Sequence, residues 1–124
     1  MSLKILVADD EPNIVISLEY LLKREGYTVL VARDGQEAID TISRELPDLV
    51  LLDVMMPKKT GFEVCQEVRA NDALQATKIL MLTAKGRDTD LAKGLALGAD
   101  AYMTKPFSTR ELVQKVAQML GRAE

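Results

Sequence analysis

The residues with the clearest chemical potential in this sequence are aspartates that follow hydrophobic runs. The run at 49–52 is followed at once by Asp53, and the run at 4–8 is followed by Asp9 and Asp10. A charge at the end of a buried run is costly unless something pairs with it, coordinates it or lets water reach it. We therefore expect the partners of these acids to lie elsewhere in the chain.

Two complementary groups follow later hydrophobic runs. Thr83 comes after the run at 78–82, and Lys105 comes after the run at 101–104. Three close carboxylates raise the pKa of at least one of them unless a divalent cation neutralises them, and Mg2+ binds carboxylate oxygens while leaving positions for phosphate oxygens. A carboxylate can also act as a nucleophile that forms an aspartyl phosphate, aided by a cation and a hydrogen-bond donor. Together these side chains could support Mg2+-dependent phosphoryl transfer to an aspartate.

Missing residue types exclude other chemistries. The 124-residue chain contains no histidine, which removes Ser-His and Cys-His nucleophile systems, imidazole acid-base catalysis and nearly every zinc site. The single cysteine, Cys65, stands at helical spacing from Phe62 and Val68 and is expected to pack in the core. One cysteine cannot close a disulfide within the chain, which fits a reducing compartment. Any metal must then be a hard cation held by oxygen.

Charge and hydropathy restrict the partners. The formal net charge is -3 and the basic residues are scattered, so the sequence has no electrostatic footprint for nucleic acid. No apolar run approaches the roughly 20 residues of a membrane span, and the start of the chain does not read as an export signal. We expect one cytoplasmic globular domain over residues 1–124 that binds neither DNA nor a membrane.

Short apolar runs alternate with stretches of helical periodicity, which predicts a β-α unit repeated five times. The predicted strands are 4–8, 28–32, 49–52, 78–82 and 101–104. Pro12 suits a first helical turn, and Thr60 and Ser108 each open an S/T-x-x-E sequence that is typical of a helix start. Strands that are apolar on both faces and alternate with helices indicate an α/β fold, a doubly wound parallel sheet with helices on both faces.

A parallel sheet would bring the candidate residues together, because the carboxyl ends of its strands lie at one edge, where functional groups gather. Taken singly, each residue has a plainer explanation. Asp10 could cap a helix, Asp53 could begin a turn, Thr83 suits a strand, and Lys105 could be solvated. Taken together, these explanations are weaker, since every strand end would need a complementary polar group by chance.

Four segments match one known family in order and spacing: VADDEP, LLDVMMPKKTGFE, LTA and GADAYMTKPFSTREL. Through them the sequence resembles the receiver domain of two-component response regulators over essentially its whole length. The resemblance implies a five-stranded, flavodoxin-like (βα)5 fold with strand order 2-1-3-4-5, acting as a signalling switch rather than an enzyme. It also implies that Asp53 accepts a phosphoryl group from a histidine on a sensor kinase or phosphotransfer protein.

The resemblance also assigns metal ligands. Asp10 would bind Mg2+ directly and Asp9 largely through water, while Asp53 and the backbone carbonyl of Met55 would be further ligands. From the residue types alone, both Met55 and Met56 are interpreted as flexible core filling.

The resemblance further assigns the groups that meet the phosphoryl oxygens and relay the signal. Thr83 and Lys105 would contact those oxygens, and Tyr102 would be the aromatic switch residue that turns inward when Thr83 moves. Lys105–Pro106 would be a cis peptide. The face made by helix four, strand five and helix five would change and meet a downstream effector domain or protein.

The chain departs from the commoner family pattern in two places near the site. Lys58 and Lys59 follow the proline after strand three, and we interpret them as solvated charges in preference to a site for an acidic partner. In the family, the side chains two residues after the phosphorylated aspartate and two residues after the threonine help or hinder the water that hydrolyses the aspartyl phosphate. Here these residues are Met55 and Lys85. Methionine cannot orient water by a strong hydrogen bond, so slow self-dephosphorylation is expected.

Self-association through the switched face is expected to be weak. The resemblance implies that, in the DNA-binding branch of the family, three ion pairs join the two subunits of a dimer at this face. Here Leu91 and Ala101 replace a charged residue in two of those pairs. Only the pair of Asp100 with Arg122 survives intact. Exposed ion pairs contribute at most about 1 kcal/mol each, so we expect a monomer or a weak homodimer.

Three rival functions use similar residues. A haloacid dehalogenase phosphatase needs a second acid two residues after its nucleophile, where this chain has Met55. A flavin-binding domain needs a Ser/Thr/Gly-rich phosphate loop after strand one, where this chain has repelling acids. A pseudo-receiver that no longer accepts phosphate usually lacks one of the acids or the lysine, and none is missing here. We therefore prefer the phosphoacceptor and keep the pseudo-receiver as the alternative.

Overall fold

Five strands and five helices alternate along the chain in a computed structural model that describes residues 3–84 and 87–121. The strands are β1 (Lys4–Ala8), β2 (Thr28–Ala32), β3 (Leu49–Asp53), β4 (Lys78–Ala84) and β5 (Ala101–Lys105). The helices are α1 (Pro12–Arg24), α2 (Gly35–Glu45), α3 (Gly61–Ala70), α4 (Asp88–Ala96) and α5 (Thr109–Met119), with a short 3-10 helix at Asp72–Leu74. All strand pairs are parallel, in the order β2-β1-β3-β4-β5. The predicted doubly wound fold and its strand order are confirmed.

Two hydrophobic layers enclose the sheet, because successive strand residues point to opposite faces. In β1, Leu6 belongs to the layer that includes residues of α2 and α3, whereas Ile5 and Val7 belong to the layer that includes residues of α1 and α5. Cys65 is fully buried in the first layer with its thiol free, as predicted. No helix in residues 3–84 and 87–121 combines the length and apolar character that a membrane span requires.

Three strands extend one or two residues beyond their predicted ends. β3 ends at Asp53, β4 at Ala84 and β5 at Lys105. The ladder continues this far because Asp53 pairs with Leu82, and Ala84 pairs with Lys105. Asp53, Thr83 and Lys105 therefore lie within the last residues of their strands rather than after them, and the sheet holds their backbones in place.

Side-chain caps begin the helices that flank the strand ends. The Thr60 hydroxyl accepts a hydrogen bond from the Glu63 amide (3.2 Å), and the Glu63 carboxylate accepts one from the Thr60 amide (3.0 Å), which completes the predicted capping box. Ser108 accepts a hydrogen bond from the Glu111 amide (3.0 Å), and Pro12 occupies the first turn of α1. These local signals explain why the helix starts were readable from sequence.

Candidate functional site

The candidate site lies at the carboxyl edge of the sheet. Asp53 is the last residue of the central strand β3, which pairs with β1 on one side and β4 on the other. Asp9 follows β1 directly, and its amide donates a hydrogen bond to the carbonyl of Ala32 in β2 (3.1 Å). The parallel arrangement thus brings together residues that are far apart in the sequence, as predicted.

Three aspartates form the predicted acidic cluster. Oxygen atoms of Asp9, Asp10 and Asp53 lie within 4.8 Å of one another. Asp9 is fully buried and Asp53 is 8% exposed, whereas Asp10 is exposed and opens the cluster to solvent. A set of carboxylate oxygens with access to water fits Mg2+, which binds through one or two carboxylates and keeps several of its waters. The donor set therefore agrees with the predicted metal.

Lys105 places a positive charge among these acids. Its Nζ atom lies 2.9 Å from Oδ2 of Asp9, 3.4 Å from Oδ1 of Asp53 and 3.5 Å from Oε1 of Glu11. Burial acts to lower the pKa of Lys105, but the hydrogen bond to Asp9 and the negative charges of its neighbours outweigh burial and raise the pKa above its ordinary value. The ammonium group is therefore charged at neutral pH.

The surroundings of Asp53 disfavour its charged form. Burial, followed by the charge of Asp9, raises the pKa of Asp53 from 3.8 to about 6, although Lys105 opposes the shift and Asp10 adds to it. The expected repulsion between close carboxylates therefore contributes to the shift, but burial is its larger cause. A cation or a group that takes up the negative charge would relieve this cost.

Thr83 presents a hydroxyl group without a partner. The residue is 1% exposed, and within residues 3–84 and 87–121 its Oγ1 is the one buried side-chain oxygen or nitrogen that makes no hydrogen bond. Leaving a buried hydroxyl unsatisfied costs about 1–3 kcal/mol, so its presence calls for an explanation. An acceptor oxygen delivered to the edge of the sheet would satisfy it.

The acids open into a cleft of about 340 Å3. Its lining comprises Asp10, Glu11, Asp53, Val54, Met55, Ala84, Arg87, Asp90 and Lys105. Met55 is 64% exposed, so its interpretation as core filling was wrong, whereas Met56 is buried as expected. Arg87 and Asp90 were not found by sequence reasoning, because neither matches the quoted motifs or the end of a strand.

The loop after β3 is held against its neighbours by two glycines. A Cβ atom on Gly61 would collide with the backbone carbonyl of Asp53, and the Gly61 amide donates a hydrogen bond to Val54 (2.8 Å). A Cβ on Gly35 would collide with the carbonyl of Lys59. Both glycines are needed because the first turns of α2 and α3 pack directly on this loop.

The two lysines of this loop are engaged within the chain. Nζ of Lys58 lies 3.6 Å from Oδ2 of Asp34, and Nζ of Lys59 lies 2.6 Å from Oε2 of Glu67. Their interpretation as solvated charges is therefore incomplete, because Lys58 pairs with the residue that caps α2 and Lys59 pairs with a residue of α3. Lys58 remains largely exposed, with 67% of its side chain accessible.

Two of the remaining predicted residues lie outside the described part of the chain, and the others lie on β5 or directly after it. Tyr102 is 44% exposed on β5, and the Lys105–Pro106 peptide bond is cis, as the resemblance implied. Lys85, which enters the expectation about phosphoryl lifetime, and Arg122, which enters the expectation about dimers, lie outside the described residues.

Asp100, the acid expected to survive in a dimer interface, has partners within its own chain. Its Oδ2 accepts hydrogen bonds from Nη2 of Arg69 and from the amide of Ile79, both at 2.8 Å. Arg69 also donates to the carbonyl of Gly98 (2.9 Å). These contacts tie the end of α3 to the segment before β5.

Comparison with known sequences identifies a consistent set of relatives. The family model described as the response regulator receiver domain matches residues 5–117. The chain is 52% identical, over all 124 residues, to the alkaline phosphatase synthesis transcriptional regulatory protein PhoP of Bacillus subtilis (strain 168). The match covers 51% of that protein, so the chain spans about half the length of this curated relative.

Solved structures are similar over nearly the whole chain. A protein of Chloroflexus aurantiacus J-10-fl that is described as a response regulator superimposes with a TM-score of 0.93 at 36% identity, covering 98% of this chain and 100% of that one. The receiver domain of sensor histidine kinase PA1611 from Pseudomonas aeruginosa PAO1 gives a TM-score of 0.89 at 29% identity, covering 98% and 99%. That second structure has a magnesium ion coordinated in its active site cleft.

Proposed function

Because this chain belongs to the family of response regulator receiver domains, we propose that Asp53 is the phosphoacceptor of a two-component signalling switch. The observation that carries this proposal is the setting of Asp53, a largely buried carboxylate with Nζ of Lys105 at 3.4 Å and two further acids nearby. The pseudo-receiver alternative is not favoured, since the three aspartates and the lysine are all present and lie close together at one edge of the sheet. We take residues 1–124 as one such domain.

In the proposed reaction, a carboxylate oxygen of Asp53 attacks the phosphorus of a phosphohistidine on the partner. A P–O bond forms as the P–N bond breaks, the electron pair of the broken bond stays on the imidazole nitrogen, and a proton neutralises that ring. Lys105, held by Asp9 at 2.9 Å, would balance charge on the phosphoryl oxygens. The unpartnered hydroxyl of Thr83 would donate a hydrogen bond to one of these oxygens.

Four groups are proposed to hold Mg2+: the carboxylates of Asp9, Asp10 and Asp53, and the backbone carbonyl of Met55. When bound, Mg2+ would neutralise part of the negative charge on the carboxylates and on the phosphoryl oxygens. Asp10, which is exposed, is the proposed direct ligand, and the buried Asp9 would act largely through water while it keeps Lys105 in place. The spacing of the three carboxylates supports this assignment.

The signal would pass from Thr83 to the face formed by α4, β5 and α5. Since the Thr83 hydroxyl makes no hydrogen bond within the described residues, it can move toward a phosphoryl oxygen without losing one. Tyr102 is exposed on the neighbouring strand and is the proposed switch residue that turns inward when Thr83 moves. The altered face would then meet the effector.

The proposed partners are a sensor histidine kinase or phosphotransfer protein upstream, and an effector domain or protein downstream. We propose no direct nucleic acid contact by this domain, because its formal charge is -3 and no basic patch was found in the sequence. We also propose a cytoplasmic location, because the buried cysteine Cys65 forms no disulfide, as is typical of a reducing compartment. The domain would promote both its own phosphorylation and its own dephosphorylation, the latter slowly. It would not be an enzyme for another substrate.

The test is phosphorylation by acetyl phosphate in the presence of Mg2+, followed by intact-mass measurement. One phosphoryl group should be added, and Asp53→Asn should abolish the addition. Asp72→Asn, which removes an exposed acid away from the cleft, is the matched control and should be modified like the wild type. Modification that persists in Asp53→Asn would show that another residue is the acceptor.

A further inference from the structure

Arg87 and Asp90 form a second charged pair in the cleft beside Asp53. Nε of Arg87 lies 3.1 Å from Oδ2 of Asp90, and Nη2 lies 3.3 Å from Oδ1, so two guanidinium nitrogens hold the carboxylate. Both residues line the same cleft as Asp53 and Lys105. The proposed phosphoryl transfer makes no use of this pair.

The two partners differ in burial. The Asp90 side chain is 11% exposed, whereas the Arg87 side chain is 53% exposed. Among the described residues, Asp90 is the one ion-pair partner of Arg87, and Nη1 of Arg87 makes no hydrogen bond. Asp90 is thus fixed in the first turn of α4, while the guanidinium is a half-solvated cation that can exchange partners.

A phosphoryl group on Asp53 would be a strong competitor for this cation. It carries up to two negative charges and three acceptor oxygens, and the planar guanidinium can bind such oxygens with two parallel hydrogen bonds. Lys105 already faces Asp9, Glu11 and Asp53 within 3.5 Å, so its charge is shared among three acids. Among the residues that the structure describes, Arg87 is the other cation that lines the cleft.

We propose that Arg87 is a second phosphoryl-binding cation, for which the phosphoryl group on Asp53 and the carboxylate of Asp90 compete. In the unphosphorylated domain Asp90 holds the guanidinium. After phosphorylation the guanidinium turns to the phosphoryl oxygens and releases Asp90 at the start of α4. This inference rests on the proposed function of Asp53, and it adds a link between the site and α4 that does not pass through Thr83.

The competition predicts opposite effects for the two partners. Beryllofluoride with Mg2+ serves as the phosphoryl mimic, and its affinity is measured by fluorine-19 NMR titration. Arg87→Ala should weaken binding about three- to tenfold, and Arg87→Lys should restore part of the loss. Asp90→Asn, which removes the competitor, should tighten binding by about two- to fivefold. Arg110→Ala removes an exposed arginine of α5 that lies outside the cleft lining and should leave the affinity close to that of the wild type.

The double variant separates competition from a general charge effect. Asp90→Asn combined with Arg87→Ala should bind beryllofluoride like Arg87→Ala alone, because no cation is left to release. If Asp90→Asn tightens binding equally with and without Arg87, or if both single variants weaken binding, the proposal is overturned. Thermal unfolding of each variant shows whether an affinity loss follows from a loss of folding, and Arg87→Lys keeps the test valid if Arg87→Ala unfolds. If the wild type is neither phosphorylated nor able to bind beryllofluoride, the proposed function of Asp53 itself is refuted. If the wild type binds beryllofluoride and Arg87→Ala leaves its affinity unchanged, only the role of Arg87 is refuted.

Discussion

Replacing Asp53 by asparagine should make the metal-free protein more stable at neutral pH, although it removes the proposed phosphoacceptor. Burial, aided by the charge of Asp9, raises the pKa of Asp53 to about 6. The folded protein therefore holds the Asp53 proton more tightly than the unfolded chain does. A neutral amide of nearly the same shape avoids the cost of the buried charge.

The size of the effect follows from the two pKa values. As the pH rises from 3.8 to about 6, the unfolded chain has lost the Asp53 proton while the folded protein still retains it, so the folded state loses stability through this window. The difference between these two pKa values corresponds to about 3 kcal/mol, which is fully expressed above about pH 6. Since the Asp53 side chain is only 11% exposed, solvent screening reduces this value little.

Urea unfolding followed by circular dichroism measures the prediction in the absence of Mg2+. Asp53→Asn should gain up to about 3 kcal/mol at about pH 8 and little at about pH 4. Asp34→Asn is the control. The hydrogen bond from the Glu37 amide holds the pKa of the Asp34 carboxyl below its ordinary value, and asparagine caps a helix equally well, so no gain is expected. Mg2+ should narrow the gap at high pH, because the wild type gains more from binding it. An equal gain at both pH values, or a loss at about pH 8, would refute the reasoning.

Three other outcomes are expected. Met55→Asn should shorten the lifetime of the phosphorylated protein, because asparagine can orient water and the exposed methionine cannot. The lifetime is measured by the loss of the added mass after the phosphodonor is removed. A wild-type lifetime of a few seconds would contradict slow self-dephosphorylation. Gly61→Ala should lower the free energy of unfolding in urea by about 1–3 kcal/mol, because its Cβ meets the Asp53 carbonyl; an unchanged midpoint would show that the loop yields freely. Sedimentation velocity with beryllofluoride should find the protein mainly monomeric at micromolar concentration. Leu91 and Ala101 remove two ion pairs between subunits, which lowers the affinity of dimerisation about ten- to thirtyfold. A tight activated dimer on the α4-β5-α5 face would refute this.

Features that depend on local sequence were predictable. The capping box at Thr60 and the first-turn proline at Pro12 are satisfied by neighbours in the chain, so their sequence patterns suffice. The joint placement of Asp9, Asp53 and Lys105 was also predictable, because parallel strands must end at one edge. The raised pKa of Asp53 follows from that placement.

Contacts that depend on how loops and helix ends approach one another were not predictable. The pairing of Lys58 with Asp34 requires the loop after β3 to lie against the start of α2. The engagement of Asp100 by Arg69 requires the end of α3 to reach the segment before β5. Met55 was misread because a methionine next to a buried strand has no local signal that distinguishes a core position from an exposed one.

Two energetically unfavourable features face the same edge of the sheet: the buried charge of Asp53, and the hydroxyl of Thr83, which has no partner within residues 3–84 and 87–121. A ligand shifts a conformational equilibrium only through differential interaction with the two states. A cation and a phosphoryl group would relieve both features at once, since the cation takes up negative charge and the phosphoryl group offers oxygens to the hydroxyl and the ammonium. The state that moves Thr83 and Lys105 toward Asp53 would therefore be favoured only when that ligand is present. The unfavourable environment of the Asp53 charge and the Thr83 hydroxyl would thus make the site responsive to such a ligand.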